Sequence, residues 1–302
     1  MRFYTAKIHD KEEILVGFNE GCKAYRLGFL ARLMPQLAFK DMNALILGWN
    51  EDIKAKLVHL AANEDVLSAA AVDVNPVQRC APIVLPRQDV ICVGLNYDAL
   101  AQEAGRFSDE AFGGERPYTI YFSKRVSRAT ATNESVPSYK GLVDSLDYEC
   151  ELGVVLARDC KGVTKEQARD YIFGYTIIND VSARNLQTRH KQWYLGKSLD
   201  GFTPMGPCLV TADEIGDEQN LDISCTVNGQ LRQNSNTKFM IQTVCGAVSE
   251  LSQGMTLAAG TIIATGTPAG VGMGMQPPTF LQTGDEIVCH IEKIGDLRNV
   301  IA

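Results

Sequence analysis

Residues 147–156 read Asp147-Tyr148-Glu149-Cys150-Glu151-Leu152-Gly153-Val154-Val155-Leu156. The second half is a short apolar run rich in valine, the signature of a β-strand. On a strand the side chains repeat every two residues, so Glu149 and Glu151 share a face. Two carboxylates held that close repel unless water, a lysine or arginine, or a metal cation lies between them.

Similar runs follow on both sides. Residues 172–178 (Ile-Phe-Gly-Tyr-Thr-Ile-Ile) form a second apolar strand that ends next to Asn179 and Asp180. Between the two, Thr164 with Gln167 three residues on is a capping box, so a helix starts there. Residues 90–95, 118–122, 261–265 and 286–291 complete the set of strand-type runs. Many short strands with few helices predict a β-sandwich or roll rather than a doubly wound sheet.

The first eighty or so residues have a different pattern. Residues 2–8 and 14–18 read as two strands. Asn50 then caps a helix with Glu51 and Asp52 in its first turn, where negative charge suits the helix dipole. Ile53, Leu57 and Leu60 follow at helical spacing and should face a core. Pro76, Pro82 and Pro86 cannot lie inside a helix, so they mark a connector. This predicts a small N-terminal module over 1–85 and a larger domain over 86–302.

Composition narrows the function. The chain has 302 residues, 45% of them apolar, enough for a substantial core. A net charge of −7 argues against nucleic-acid binding. No run of eighteen apolar residues exists, so no membrane span is expected. No secretory signal is visible and the nine cysteines are scattered without a C-x-x-C pair, so a reduced, cytoplasmic protein is expected. The four histidines, His9, His59, His190 and His290, form no zincin pair. His290, on a strand-type run, is expected in the core. Any metal should therefore bind oxygen.

Four segments bear chemistry. Glu149, Glu151 and Asp180 together are a hard oxygen set suited to Mg²⁺ or Mn²⁺. Residues 196–201 (Gly-Lys-Ser-Leu-Asp-Gly) lack the glycine cradle of a phosphate loop, which leaves Lys197 free to serve a divalent site. Residues 265–272 (Thr-Gly-Thr-Pro-Ala-Gly-Val-Gly) have the wrong spacing for a dinucleotide fingerprint. They read as a turn that offers threonine hydroxyls and backbone N–H groups to an anion. Residues 103–117, with Gly105, Gly113 and Gly114, read as a mobile lid.

In order along the chain come Val93-Gly94-Leu95-Asn96-Tyr97, Tyr121-Phe122-Ser123-Lys124, Asp147-Tyr148-Glu149-Cys150-Glu151-Leu152, Asn179-Asp180-Val181-Ser182-Ala183-Arg184, Gly196-Lys197-Ser198-Leu199-Asp200 and Thr265-Gly266-Thr267-Pro268. With these six motifs the chain, from about Asp89 to its end, resembles the fumarylacetoacetate hydrolase family. The resemblance implies a strand-rich α+β fold, a mixed β-sandwich roll with a small N-terminal α/β module, assembled as a homodimer. It implies Mg²⁺ or Mn²⁺ on Glu149, Glu151 and Asp180, and substrate contacts from Arg184, Gln187 and Thr267. Lys197 and Glu103 would be the catalytic groups and a small keto acid the substrate. C–C bond hydrolysis of an acylpyruvate-like acid ranks first. Isomerisation, tautomerisation or decarboxylation, or a catalytically weak relative, are the alternatives.

One departure matters. The family commonly shows Asn-Tyr-x-x-His-x-x-Glu, and this chain has Asn96, Tyr97 and Glu103 but Leu100 in the histidine position. Leucine cannot transfer a proton, and a general acid–base group typically contributes about 10²–10⁴-fold. Water activation is the step most exposed to that loss. His190, six residues after Arg184, is one replacement to consider. Lys124 either faces the site or ends a strand.

Overall fold

A computed structural model describes residues 1–114 and 117–302, apart from the Ala111 side chain. Among these residues the central layer is an eleven-stranded mixed sheet. Its middle strands are Arg2–Ile8, Met205–Thr211, Ile172–Asn179, Cys150–Leu156, Ile262–Ala264 and Val90–Gly94, in that spatial order. All neighbours in this series pair antiparallel except Ile262–Ala264 with Val90–Gly94, which are parallel. Ile120–Lys124 forms one edge, so the run read at 118–122 starts and ends two residues later, and Tyr118 is exposed.

Cys150–Leu156 and Ile172–Asn179 are buried along their whole length because both faces of the sheet are covered. On one face Cys150, Leu152, Val154 and Leu156 pack with Tyr175 and Ile177 against a five-stranded sheet. That second sheet includes Asp222–Val227, Glu286–Ile291 and Gly295–Ile301 and brings Ile223, Ile287 and Leu297 to the shared core. On the other face Val155, Phe173 and Leu209 pack against the N-terminal helices through Ile53, Leu57 and Leu60. The architecture is a mixed β-sandwich roll with helices on its outer face.

The helix over Glu51–Ala61 starts as its sequence predicts, with Asn50 Oδ1 accepting from the Ile53 N–H at 3.0 Å. The Thr164–Gln167 capping box is present at the start of Lys165–Ala168. The sheet crosses residues 85/86 without a break. Arg2 lies opposite Val210 and Phe3 opposite Leu209.

The cysteines are unpaired; Cys22 is exposed, Cys245 half-buried and the others buried. His290 departs from its expected core position. It lies on the outer face of its strand, 48% exposed, with Nδ1 2.6 Å from Asp296 Oδ1. The strand alternates, and the residues on its inner face are Ile287, Cys289 and Ile291.

The segment read as a lid forms two helices, Asp98–Phe107 and Asp109–Phe112. Its positions 115 and 116 lie outside the described residues.

Candidate active site

The three acidic residues converge. Glu149, Glu151 and Asp180 are all buried, and one oxygen from each lies within 4.8 Å of the others. Strand pairing explains this. Cys150 sits opposite Asn179 and Glu151 opposite Ile178, so Asp180 leaves its strand beside Glu149. The Asp180 N–H donates to the Glu149 carbonyl at 2.8 Å, and Asn179 Oδ1 accepts from the Glu149 N–H at 3.0 Å.

Buried lysines and an arginine face these carboxylates. Lys197 Nζ is 2.8 Å from Glu149 Oε2 and 2.7 Å from Asp180 Oδ2. Lys124 Nζ contacts Asp180 Oδ1 at 2.5 Å and donates to the Phe202 carbonyl at 2.7 Å, so it faces the site. Arg184 reaches Glu149 Oε1 at 2.7 Å, Asp147 Oδ2 at 2.9 Å and Gln187 Oε1 at 3.0 Å. Asp147, Glu149, Glu151 and Asp180 thus face Lys124, Arg184 and Lys197, with one negative charge in excess.

That excess falls on Glu151. Its Oε2 accepts from the Gly266 N–H at 2.8 Å, and no lysine or arginine among the described residues pairs with it. Burial, then Asp180 and Glu149, push its carboxyl well above the usual range. For Asp180 burial acts the same way, but Lys124 and Lys197 outweigh it and hold the carboxyl low. Burial opposes the charge of Lys197, yet Asp180 and Glu149 raise its pKa and keep it an ammonium. A cluster of hard oxygens with one carboxylate short of positive charge fits a divalent cation.

The 265–273 turn binds anions, but these are the chain's own carboxylates. Gly266 donates to Glu151, Gly270 to Glu103 at 2.9 Å, and Gly272 and Met273 to Asp147 at 2.6 and 3.0 Å. Gly266 has φ +89°, and a Cβ there would lie 2.7 Å from Asn96 Cβ, so only glycine fits. Thr267 is buried with its hydroxyl donating to the Cys150 carbonyl and accepting from Gln233 Nε2.

A small cavity opens beside the carboxylates. Glu149, Glu151, Arg184, Gln187, Lys197 and Thr267 are its polar lining. Leu100, Phe112, Phe122, Trp193 and Met273 are its main apolar lining. Water centres have about 20 Å³ inside it, room for one or two molecules. Leu100 is 3% exposed, so the position of the family's histidine is a greasy wall. No histidine lines the cavity among the described residues, and His190 is exposed at the end of its helix. Glu103 sits outside the wall, with its carboxylate on the Gly270 N–H.

Two further residues belong to the site. Asp147 is fully buried and clamps Arg184 to the turn; its place in the Asp-Tyr-Glu motif was the available signal. Trp193 had none, because its role comes from packing.

A family description headed fumarylacetoacetate (FAA) hydrolase C-terminal matches residues 89–302. The chain belongs to the fumarylacetoacetate hydrolase family. An oxaloacetate tautomerase of Bacillus subtilis is 44% identical over 237 residues, 78% of this chain and 77% of that protein. Among solved structures of the family's fold, a fumarylacetoacetate hydrolase from Exiguobacterium antarcticum superimposes with a TM-score of 0.81 at 36% identity, covering 100% of this chain and 99% of that one. A maleylpyruvate hydrolase from Sphingobium sp. SYK-6, in complex with manganese(II) and pyruvate, gives 0.76 at 25% identity over 100% and 99% of the two chains. The family thus includes both tautomerases and hydrolases, built on the fold described above.

Proposed function

We propose that this protein is a divalent-metal-dependent tautomerase of a short 2-oxo acid. The observation that carries the reading is Leu100. It fills the cavity wall where a general base for water would stand. Keto–enol exchange moves one proton between C3 and the 2-oxo oxygen and needs no activated water. The 44% identity to an oxaloacetate tautomerase points the same way.

Glu149, Glu151 and Asp180 would hold Mg²⁺ or Mn²⁺, which supplies Lewis-acid polarisation of the 2-oxo group. Lys197 is placed to hold and pass the proton at Nζ and to meet the negative charge that develops on the oxygen. Arg184, fixed by Asp147, and its partner Gln187 orient the substrate carboxylate. Thr267 holds the turn against the Glu149–Glu151 strand at the substrate's edge. Glu103, through Gly270, keeps the helix that carries Leu100 over the site. The apolar wall excludes bulk water, which would compete for the enolate. A homodimer in the cytoplasm is part of this reading, and light scattering on the purified protein tests the assembly. No helix among the described residues is long and apolar enough to cross a membrane.

The experiment is a metal-supplemented screen of 2-oxo acids that follows enol absorbance and product identity separately. The expected result is enol decay with no C–C cleavage, abolished by EDTA and by Glu149→Ala. Stoichiometric release of two acid fragments would instead establish hydrolysis. Activity that survives both EDTA and Glu149→Ala would sink the metal-dependent reading.

A further inference from the structure

Trp193 is held on three sides. Its ring centroid lies 5.6 Å from that of Phe112 and 5.1 Å from that of Phe122, both in tilted or edge contacts. Its third side is the backbone of Gly94, where an added Cβ would come within 2.5 Å of the indole. These three contacts make the partly buried indole part of the cavity wall.

This wall lies beside Lys197. Trp193 caps the short turn that carries Lys197, whose N–H donates to the Trp193 carbonyl at 3.2 Å. The Lys197 ammonium lies 5.4 Å from the centre of the Phe122 ring, the ring against which Trp193 packs. Trp193 and Phe122 line the same cavity as Glu149, Glu151, Arg184 and Lys197, so a 2-oxo acid bound on those polar groups lies beside this aromatic group. The small cavity leaves the rest of the acid little space.

We propose that Trp193 sets an upper limit on substrate length. It restricts the site to short 2-oxo acids, because its indole is part of the wall of a small cavity shared with Glu149, Glu151, Arg184 and Lys197. The inference rests on reading the site as one for 2-oxo acids and adds the size of acid it takes. It makes Trp193 a specificity residue, outside the proton chemistry.

The test separates binding from turnover. The chain has two tryptophans, so Trp49→Phe leaves Trp193 as the sole indole. With MgCl₂ present, oxalate should change Trp193 emission. In a series of N-alkyl oxamates, which keep the head group and lengthen only the tail, N-butyl oxamate should bind at least about tenfold more weakly than oxamate. In Trp193→Ala, followed by calorimetry, that penalty should fall to about threefold or less. Trp193→Phe, which keeps a ring, should shrink it in the same direction and serves if the alanine variant does not fold. Equal binding across the series in the Trp193 protein, or an unchanged penalty in the variants, would overturn the proposal. A protein that binds oxalate but turns over no 2-oxo acid refutes the tautomerase and leaves the size limit to the oxamate series. Binding of neither oxalate nor oxamate overturns both.

Discussion

At the scale of single residues the site is a balance of buried charge. Glu151 is the unbalanced member, raised by burial and by Asp180 and Glu149. A divalent cation favours its ionised form. Metal uptake below the raised pKa should therefore release a proton, and the release should shrink as pH rises through it. Calorimetry of Mg²⁺ binding in buffers of different ionisation enthalpy reads this directly; a buffer-independent heat would contradict it. Lys197 bridges Glu149 and Asp180 at 2.8 and 2.7 Å. Lys197→Met should leave metal binding intact or tighter, because a competing cation is gone. The same change should lower kcat by about 10²–10⁴-fold, the usual weight of an acid–base group. Steady-state kinetics beside a metal titration separates the two effects.

At the scale of elements, local sequence signals worked where the element is local. Asn50 was legible as a cap because the bond it makes spans three residues. Asn50→Ala should cost about 1 kcal/mol of stability, typical of a lost N-cap, with kcat unchanged. Chemical denaturation and a rate assay check both. The strands at 150–156 and 172–179 were legible from their apolar runs, and their full burial on both faces agrees with that reading. Sidedness was harder. His290 alternates with Cys289 and Ile291, and only the neighbouring strands decide which face turns to water. The glycine-rich turn was legible as an anion binder. Its anions are Glu103, Asp147 and Glu151, brought from distant segments.

At the scale of the whole molecule, the central sheet is covered on both faces. Val155, Phe173 and Leu209 share a core with Ile53, Leu57 and Leu60 of the N-terminal helices. Removing residues 1–85 would bare those side chains and strip Arg2–Ile8 from the Met205–Thr211 edge. Residues 86–302 alone should therefore be insoluble or melt well below the full chain, and scanning calorimetry of the two proteins tests this. An unchanged Tm would show that the module is dispensable to the catalytic fold.

The sequence by itself determined the strand-rich class, the six ordered motifs, the acidic trio and the leucine at position 100. These are properties of residue type and spacing, which the chain carries wherever it goes. Tertiary structure alone decided that Lys124 turns inward, that Glu103 serves Gly270, that Asp147 clamps Arg184, and that Trp193 lines the cavity. Each depends on segments tens of residues apart meeting at a few ångströms. Packing and burial set those distances, and no local pattern encodes them.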